Sequence, residues 1–105
     1  MNKKRKPYVP YEDGLYKRLK DHDYAAGYLN AALNDPEADV ATFLLALSNV
    51  TRAHGITNVA TKASLHRVAV HKMLQKGKDP RFTSLRKILK AVNLKIHIQP
   101  LLRAA

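Results

Sequence analysis

Apolar residues between positions 24 and 92 recur at spacings of three and four, the pattern of helices that bury one face. Tyr24, Tyr28, Leu29 and Leu33 predict a first helix, with His22-Asp23 as its cap. Asn34-Asp35-Pro36 predicts its end and the start of a second helix. There Asp35 suits the cap, Pro36 the first helical position, and Glu37 and Asp39 the positive end of the dipole. Val40, Phe43, Leu44, Leu47 and Val50 supply the buried face of that second helix. It runs to Arg52-Ala53-His54 and stops at Gly55, where a left-handed backbone is expected.

Two short helices follow. Thr57 caps Asn58–Ala63, Ser64-Leu65-His66 is a tight connection, and Arg67–Lys76 closes at Gly77. Asp79-Pro80 breaks the chain again. A last helix, about Phe82–Val92, buries Phe82, Leu85, Ile88, Leu89 and Val92 and ends at a left-handed Asn93. Beyond it Leu94-Lys95-Ile96-His97-Ile98-Gln99 alternates apolar and polar, which predicts a strand. A lone strand has no ladder partner. Pairing with the N-terminal arm or with the same strand of a second subunit satisfies it, and two-fold pairing through Leu94, Ile96 and Ile98 is favoured. The prediction is an all-α domain of about five helices with a short C-terminal strand. A basic arm spans residues 1–12, the domain 13–99 and a tail 100–105.

Composition changes the picture mainly through charge. The 105-residue chain carries a formal net charge of +11. Residues 1–39 hold seven Lys/Arg and seven acids, whereas residues 40–105 hold twelve Lys/Arg and only Asp79. The whole excess lies in the later two-thirds, and such an imbalance self-repels unless a polyanion binds it. Nucleic acid is the first candidate, and an anionic membrane surface or RNA the lesser ones. There is no cysteine, so disulfides and thiolate metal sites are excluded, and a reducing cytoplasm suits the chain. No apolar run reaches the roughly 18 residues of a membrane span. The basic start, Lys3 to Lys6, has no apolar stretch behind it and does not read as a secretory signal. It reads as a solvated arm or one that touches phosphate.

That excess coincides with the paired short helices. Two helices joined by a three-residue turn let one brace while the next enters a major groove. Ile56, Val59, Ala60, Leu65, Val70, Met73 and Leu74 are the expected buried positions. The outer face then holds His66, Arg67, Val68, Ala69, His71 and Lys72. Arg67 suits a bidentate contact to guanine, Val68 and Ala69 suit thymine methyls, and His71 and Lys72 reach bases or phosphates. Thr57 and Asn58 open a helix and suit phosphate through their backbone N–H groups, and Asn58 suits adenine as well. Lys76, Lys78 and Arg81 flank the second helix and suit the backbone. The bland alternative is a helical hairpin whose charged face is only solvated.

The ordered stretches Tyr28–Leu33, Phe43–Leu47, Arg52–Leu74, Gly77–Leu85 and Leu89–Leu94 resemble the addiction-module antidote proteins, HigA-like members of the Xre/Cro-CI helix-turn-helix superfamily. The likeness covers residues 11–99. It implies a lambda-repressor-like helix-turn-helix and a homodimer that binds double-stranded operator DNA. It also implies an antitoxin that neutralises a small, basic RelE/HigB-like toxin and represses their shared operon. A stand-alone or phage-type repressor without a toxin stays open. Ser64 and His66 stand where the family has glycine and Ser or Asn, so the start of the recognition helix is less well specified than usual.

Other chemistry is thin. The acids cluster where helix starts explain them. His66 and His71 are five apart, on different faces of a helix, and cannot share one metal. No serine has a His–acid pattern near it. No enzyme, metal site or cofactor is expected. Tyr8, Tyr11, Tyr16, Tyr24 and Tyr28 crowd the first third, where residues 7–39 carry three Lys/Arg and seven acids. They read as core packing or as a protein-binding face toward a basic toxin. Localisation in the cytoplasm, on the nucleoid, is the expectation.

Overall fold

Six helices follow one another in the computed structural model, which describes residues 10–75 and 77–101, with side chains from Gly14 onward. They are α1 (Pro10–Leu19), α2 (His22–Asn34), α3 (Val40–His54), α4 (Ile56–Ala63), α5 (Arg67–Met73) and α6 (Phe82–Ala91). The all-α class is as expected, with one more helix than the apolar pattern predicts.

The additional helix is α1, which begins inside the stretch read as an arm. Pro10 holds its first position and Lys17 and Arg18 its last turn, both favourable placements. Leu15 and Leu19, one turn apart, are buried, and the helix packs on α2 and α3. Burial of two leucines, about 1.5–3 kcal/mol each, is what fixes so polar a segment. Residues 1–9 lie outside the described residues.

Two predicted caps move. Asp21, not His22-Asp23, caps α2, its carboxylate accepting from the Tyr24 N–H at 3.1 Å. Residues 35–38 are a turn and not a helix start, because the Asp35 carboxylate accepts from the Glu37 N–H at 2.9 Å. Asp39 caps α3 instead, accepting from both the N–H and the hydroxyl of Thr42 at 2.9 Å.

The core is built from Leu19 of α1, Leu44, Leu47 and Val50 of α3, Val59 of α4, Val70 of α5, and Ile88 with Val92 of α6 and its end, all fully buried or nearly so. Tyr28 packs against this core, and its hydroxyl accepts from Asn49 Nδ2 at 2.8 Å. Leu33, Val40 and Phe82, expected in the core, are exposed. Phe82 shares its stripe with Leu85 and Leu89, but it opens α6 and projects past the core's edge.

The stops behave as the sequence predicts. Gly55 takes φ 92° between α3 and α4, Gly77 takes φ 85°, and Asn93 takes φ 65° after α6. At Asn93 the next N–H, of Leu94, reaches back to the Leu89 carbonyl at 2.8 Å, a Schellman closure that turns Leu94 onto the core.

The predicted C-terminal strand is corrected. No strand is present among the described residues, and 94–100 carry no regular secondary structure. A strand needs a ladder, and among the described residues no segment of the same chain pairs with this one. Residues 102–105 lie outside the described residues.

Candidate nucleic-acid interface

α4 and α5 are built around a left-handed serine. Ser64 has φ 58° and ψ 43°, and the N–H of Leu65 closes on the Ala60 carbonyl at 2.9 Å. That reverses the chain within three residues and leaves Leu65 half-buried against the core. α5 then starts at Arg67, with His66 as its cap residue. The imidazole makes no capping bond, so the first helical bond is Val70 N–H to the His66 carbonyl at 3.0 Å. The N–H groups of the first turn therefore face outward at the positive end of the helix.

The division of faces follows the predicted pattern. Val59, Ala60, Val70 and Leu74 are buried, and Ile56, Leu65 and Met73 are half-buried. Thr57, Asn58, His66, Arg67, Val68, Ala69, His71, Lys72, Lys78 and Arg81 are all exposed. Val68 is 60% exposed, an unusual position for a branched apolar residue with a core one turn away. The fold leaves Arg67, Val68, Ala69, His71 and Lys72 of α5 exposed behind the cap residue His66, puts Thr57 and Asn58 in the first turn of α4, and leaves Lys78 and Arg81 in the connection to α6. Packing of α4 against both α5 and α6 holds these pieces in one unit.

Three assignments change. α4 starts at Ile56, so Thr57 is a first-turn residue and Gly55 precedes the helix without a side-chain cap. Asn58 donates from its side-chain amide to the His54 carbonyl at 3.3 Å, which ties it back to α3. α5 ends at Met73, short of the predicted Lys76, because Leu74 leaves helical geometry and the chain turns through Gly77. Lys76 lies outside the described residues, as does Tyr8.

His54, the last residue of α3, reaches across to α1. Its Nε2 lies 3.3 Å from the Leu19 carbonyl at the end of α1. Burial, then the nearby positive charge of His22, Lys62 and Lys20, outweighs that bond and lowers its pKa below 6.5. Among the described residues no three His, Cys, Asp or Glu side chains come together to hold a metal ion, and no helix is long and apolar enough to cross a membrane. The exposed leucine, valine and phenylalanine of α2, α3 and α6 are surface features that periodicity alone assigns to the core.

The comparisons with known proteins agree with this geometry in extent. A protein from Haemophilus influenzae (strain ATCC 51907 / DSM 11121 / KW20 / Rd), described as uncharacterized, is 30% identical over 94 residues, 81% of this chain and 95% of its own length. No solved structure matches the chain. The family model for the probable addiction module antidote protein matches residues 13–100, which takes in α2 to α6 entire and most of α1. The chain belongs to that antidote family.

Proposed function

We propose that this protein is the antitoxin of a type II toxin–antitoxin pair, which binds operator DNA as a homodimer and represses the operon that encodes it. Its partner is a small RelE/HigB-like toxin. The reading needs no catalytic step and no cofactor, and it puts the protein in the cytoplasm, on the nucleoid.

One observation carries the DNA half. Every residue on the outer side of α5 is of a type that contacts bases or phosphate, and the helix sits in a stretch with twelve Lys/Arg and one acid. A merely solvated helix has no reason to expose Val68 and Ala69 beside Arg67. Family membership supports the antitoxin half. Two recognition helices related by a two-fold axis, about 34 Å apart, meet half-sites one turn apart.

Fluorescence anisotropy on the DNA upstream of its own gene tests the first half. Affinity is expected to fall by about 10³–10⁵ between low and physiological salt if six to ten phosphates are contacted. A flat salt dependence contradicts phosphate contact. Co-expression with the small reading frame next to this gene tests the second half. Relief of growth arrest and co-purification support it, and a neighbour that is neither toxic nor bound contradicts it.

A further inference from the structure

An apolar groove of about 650 Å³ lies between α2, α3, α6 and the segment after Asn93. No residue of α4 or α5 lines it. Four large apolar side chains on its walls face solvent: Leu33 at 57% exposure, Val40 at 56%, Phe82 at 62% and Ile96 at 45%. Ile98, 86% exposed, continues the row. Single exposed apolar residues are ordinary, but a contiguous group around a groove marks a surface that another molecule covers.

We propose that the occupant is a second copy of this chain, each protomer seating its Phe82 and its extended tail against the other's α2–α3 groove. The inference rests on the dimeric reading above and gives that dimer its contact surface.

Three features favour a second copy. Charge comes first: the lining holds Asp39 and Asp79 together with Lys95 and His97. Both signs on one surface are self-complementary under a two-fold axis, which lays Lys95 of one copy toward Asp79 of the other. The backbone comes second. After the Leu94 N–H, no backbone hydrogen bond within the chain is made by 95–101 among the described residues. An extended edge of this kind pairs with an identical edge running the opposite way. The third is placement, because a contact away from α4 and α5 leaves both recognition helices open.

The test uses the purified full-length chain without DNA. Sedimentation equilibrium at micromolar concentration is expected to give a dimer. Phe82→Asp and Leu33→Asp, both at exposed positions, are expected to weaken it at least about tenfold with helical circular dichroism unchanged. Val68→Asp, outside the groove, is expected to leave it intact. Raising salt from about 0.1 M to about 1 M is expected to hold or tighten the dimer, since repulsion between two strongly basic chains is screened. The chain has no cysteine, so single Cys substitutions across 95–99 report the crossing directly. At least one of Lys95→Cys, Ile96→Cys, His97→Cys, Ile98→Cys and Gln99→Cys is expected to form a disulfide-linked dimer on oxidation.

A monomeric wild type, or Asp variants that stay dimeric, overturns the proposal. Variants that stay dimeric but lose the co-encoded toxin assign the groove to that toxin instead, which also overturns it. Arg67→Ala, measured for DNA binding on the intact dimer, tests the DNA reading separately, so either can fail without the other.

Discussion

The imidazole of His54 stacks on that of His22, with ring centroids 6.3 Å apart and planes 9° from parallel. The pair joins four elements. His54 at the end of α3 reaches the Leu19 carbonyl of α1 at 3.3 Å, and His22 Nε2, at the start of α2, pairs with Asn93 Nδ2 after α6 at 3.2 Å. A proton on His54 sets its positive charge near those of Lys20 and Lys62.

The consequence is a pH dependence of stability. Burial lowers the pKa of folded His54 below its ordinary 6.5. Above 6.5 the ring is neutral in both states, and its contribution to stability is complete. As pH falls through that value the unfolded chain takes up the proton first, so stability is lost until the folded ring also titrates. Thermal melts from about pH 8 to about pH 5 are expected to show a falling midpoint, with a shallower fall in His54→Gln. Equal slopes in the two proteins remove His54 as the cause.

On the proposed DNA reading, readout by Arg67 of α5 and anchoring by Lys78 beyond it separate by substitution. Arg67→Ala is expected to cost about 1–3 kcal/mol on the operator and to relax base preference, because a bidentate guanine contact is lost. Lys78→Ala is expected to weaken all sequences alike and to lower the salt slope by about one. Titrations against operator and scrambled duplexes at several salt concentrations distinguish them. Uniform weakening from Arg67→Ala, with altered preference from Lys78→Ala, reverses the two roles.

Much of this was legible in the residues, and the failures have causes. Gly55, Gly77 and Asn93 mark stops because each requires a positive φ, which few residues accept. The α4–α5 pair was legible because Val59, Ala60, Val70 and Leu74 have no other way to be buried together. α1 was not, since Leu15 and Leu19 are two apolar anchors in a polar run and form a face only once α3 is beside them. Pro10 at the first position and Glu12-Asp13 after it were the available signals. Asp35 misled because an acid before proline suits either a helix cap or a two-residue turn. Phe82 and Leu33 misled because periodicity identifies an apolar face without saying where the chain's own core ends.

Ser64 offers a gain in stability. At φ 58° its side chain crowds the backbone, a strain of about 1–2 kcal/mol that glycine lacks. Glycine adds about 0.5–1 kcal/mol of chain entropy to the unfolded state, which offsets part of it. Ser64→Gly is therefore expected to raise stability by about 0.5–1 kcal/mol, with DNA affinity unchanged, and Ser64→Val to lower it by more than that. Urea midpoints at constant slope measure both. A destabilised Ser64→Gly would mean that the hydroxyl contributes more than its backbone strain costs.

Thr51 is the clearest imperfection in the core. The residue is fully buried on α3, and its hydroxyl has no hydrogen-bond partner. A buried polar atom left unpaired costs about 1–3 kcal/mol, while a methyl group in its place carries no such demand. Valine keeps the branch at Cβ and the helical rotamer, at the cost of slightly more volume beside Val50 and Ala53. Thr51→Val is expected to raise stability by about 1 kcal/mol, read from the urea midpoint. Thr51→Ala removes the hydroxyl but also the methyl, and the resulting void is expected to erase the gain. If Thr51→Val destabilises the chain while Thr51→Ser does not, the hydroxyl is bonded in solution, and the core here is better satisfied than its geometry indicates.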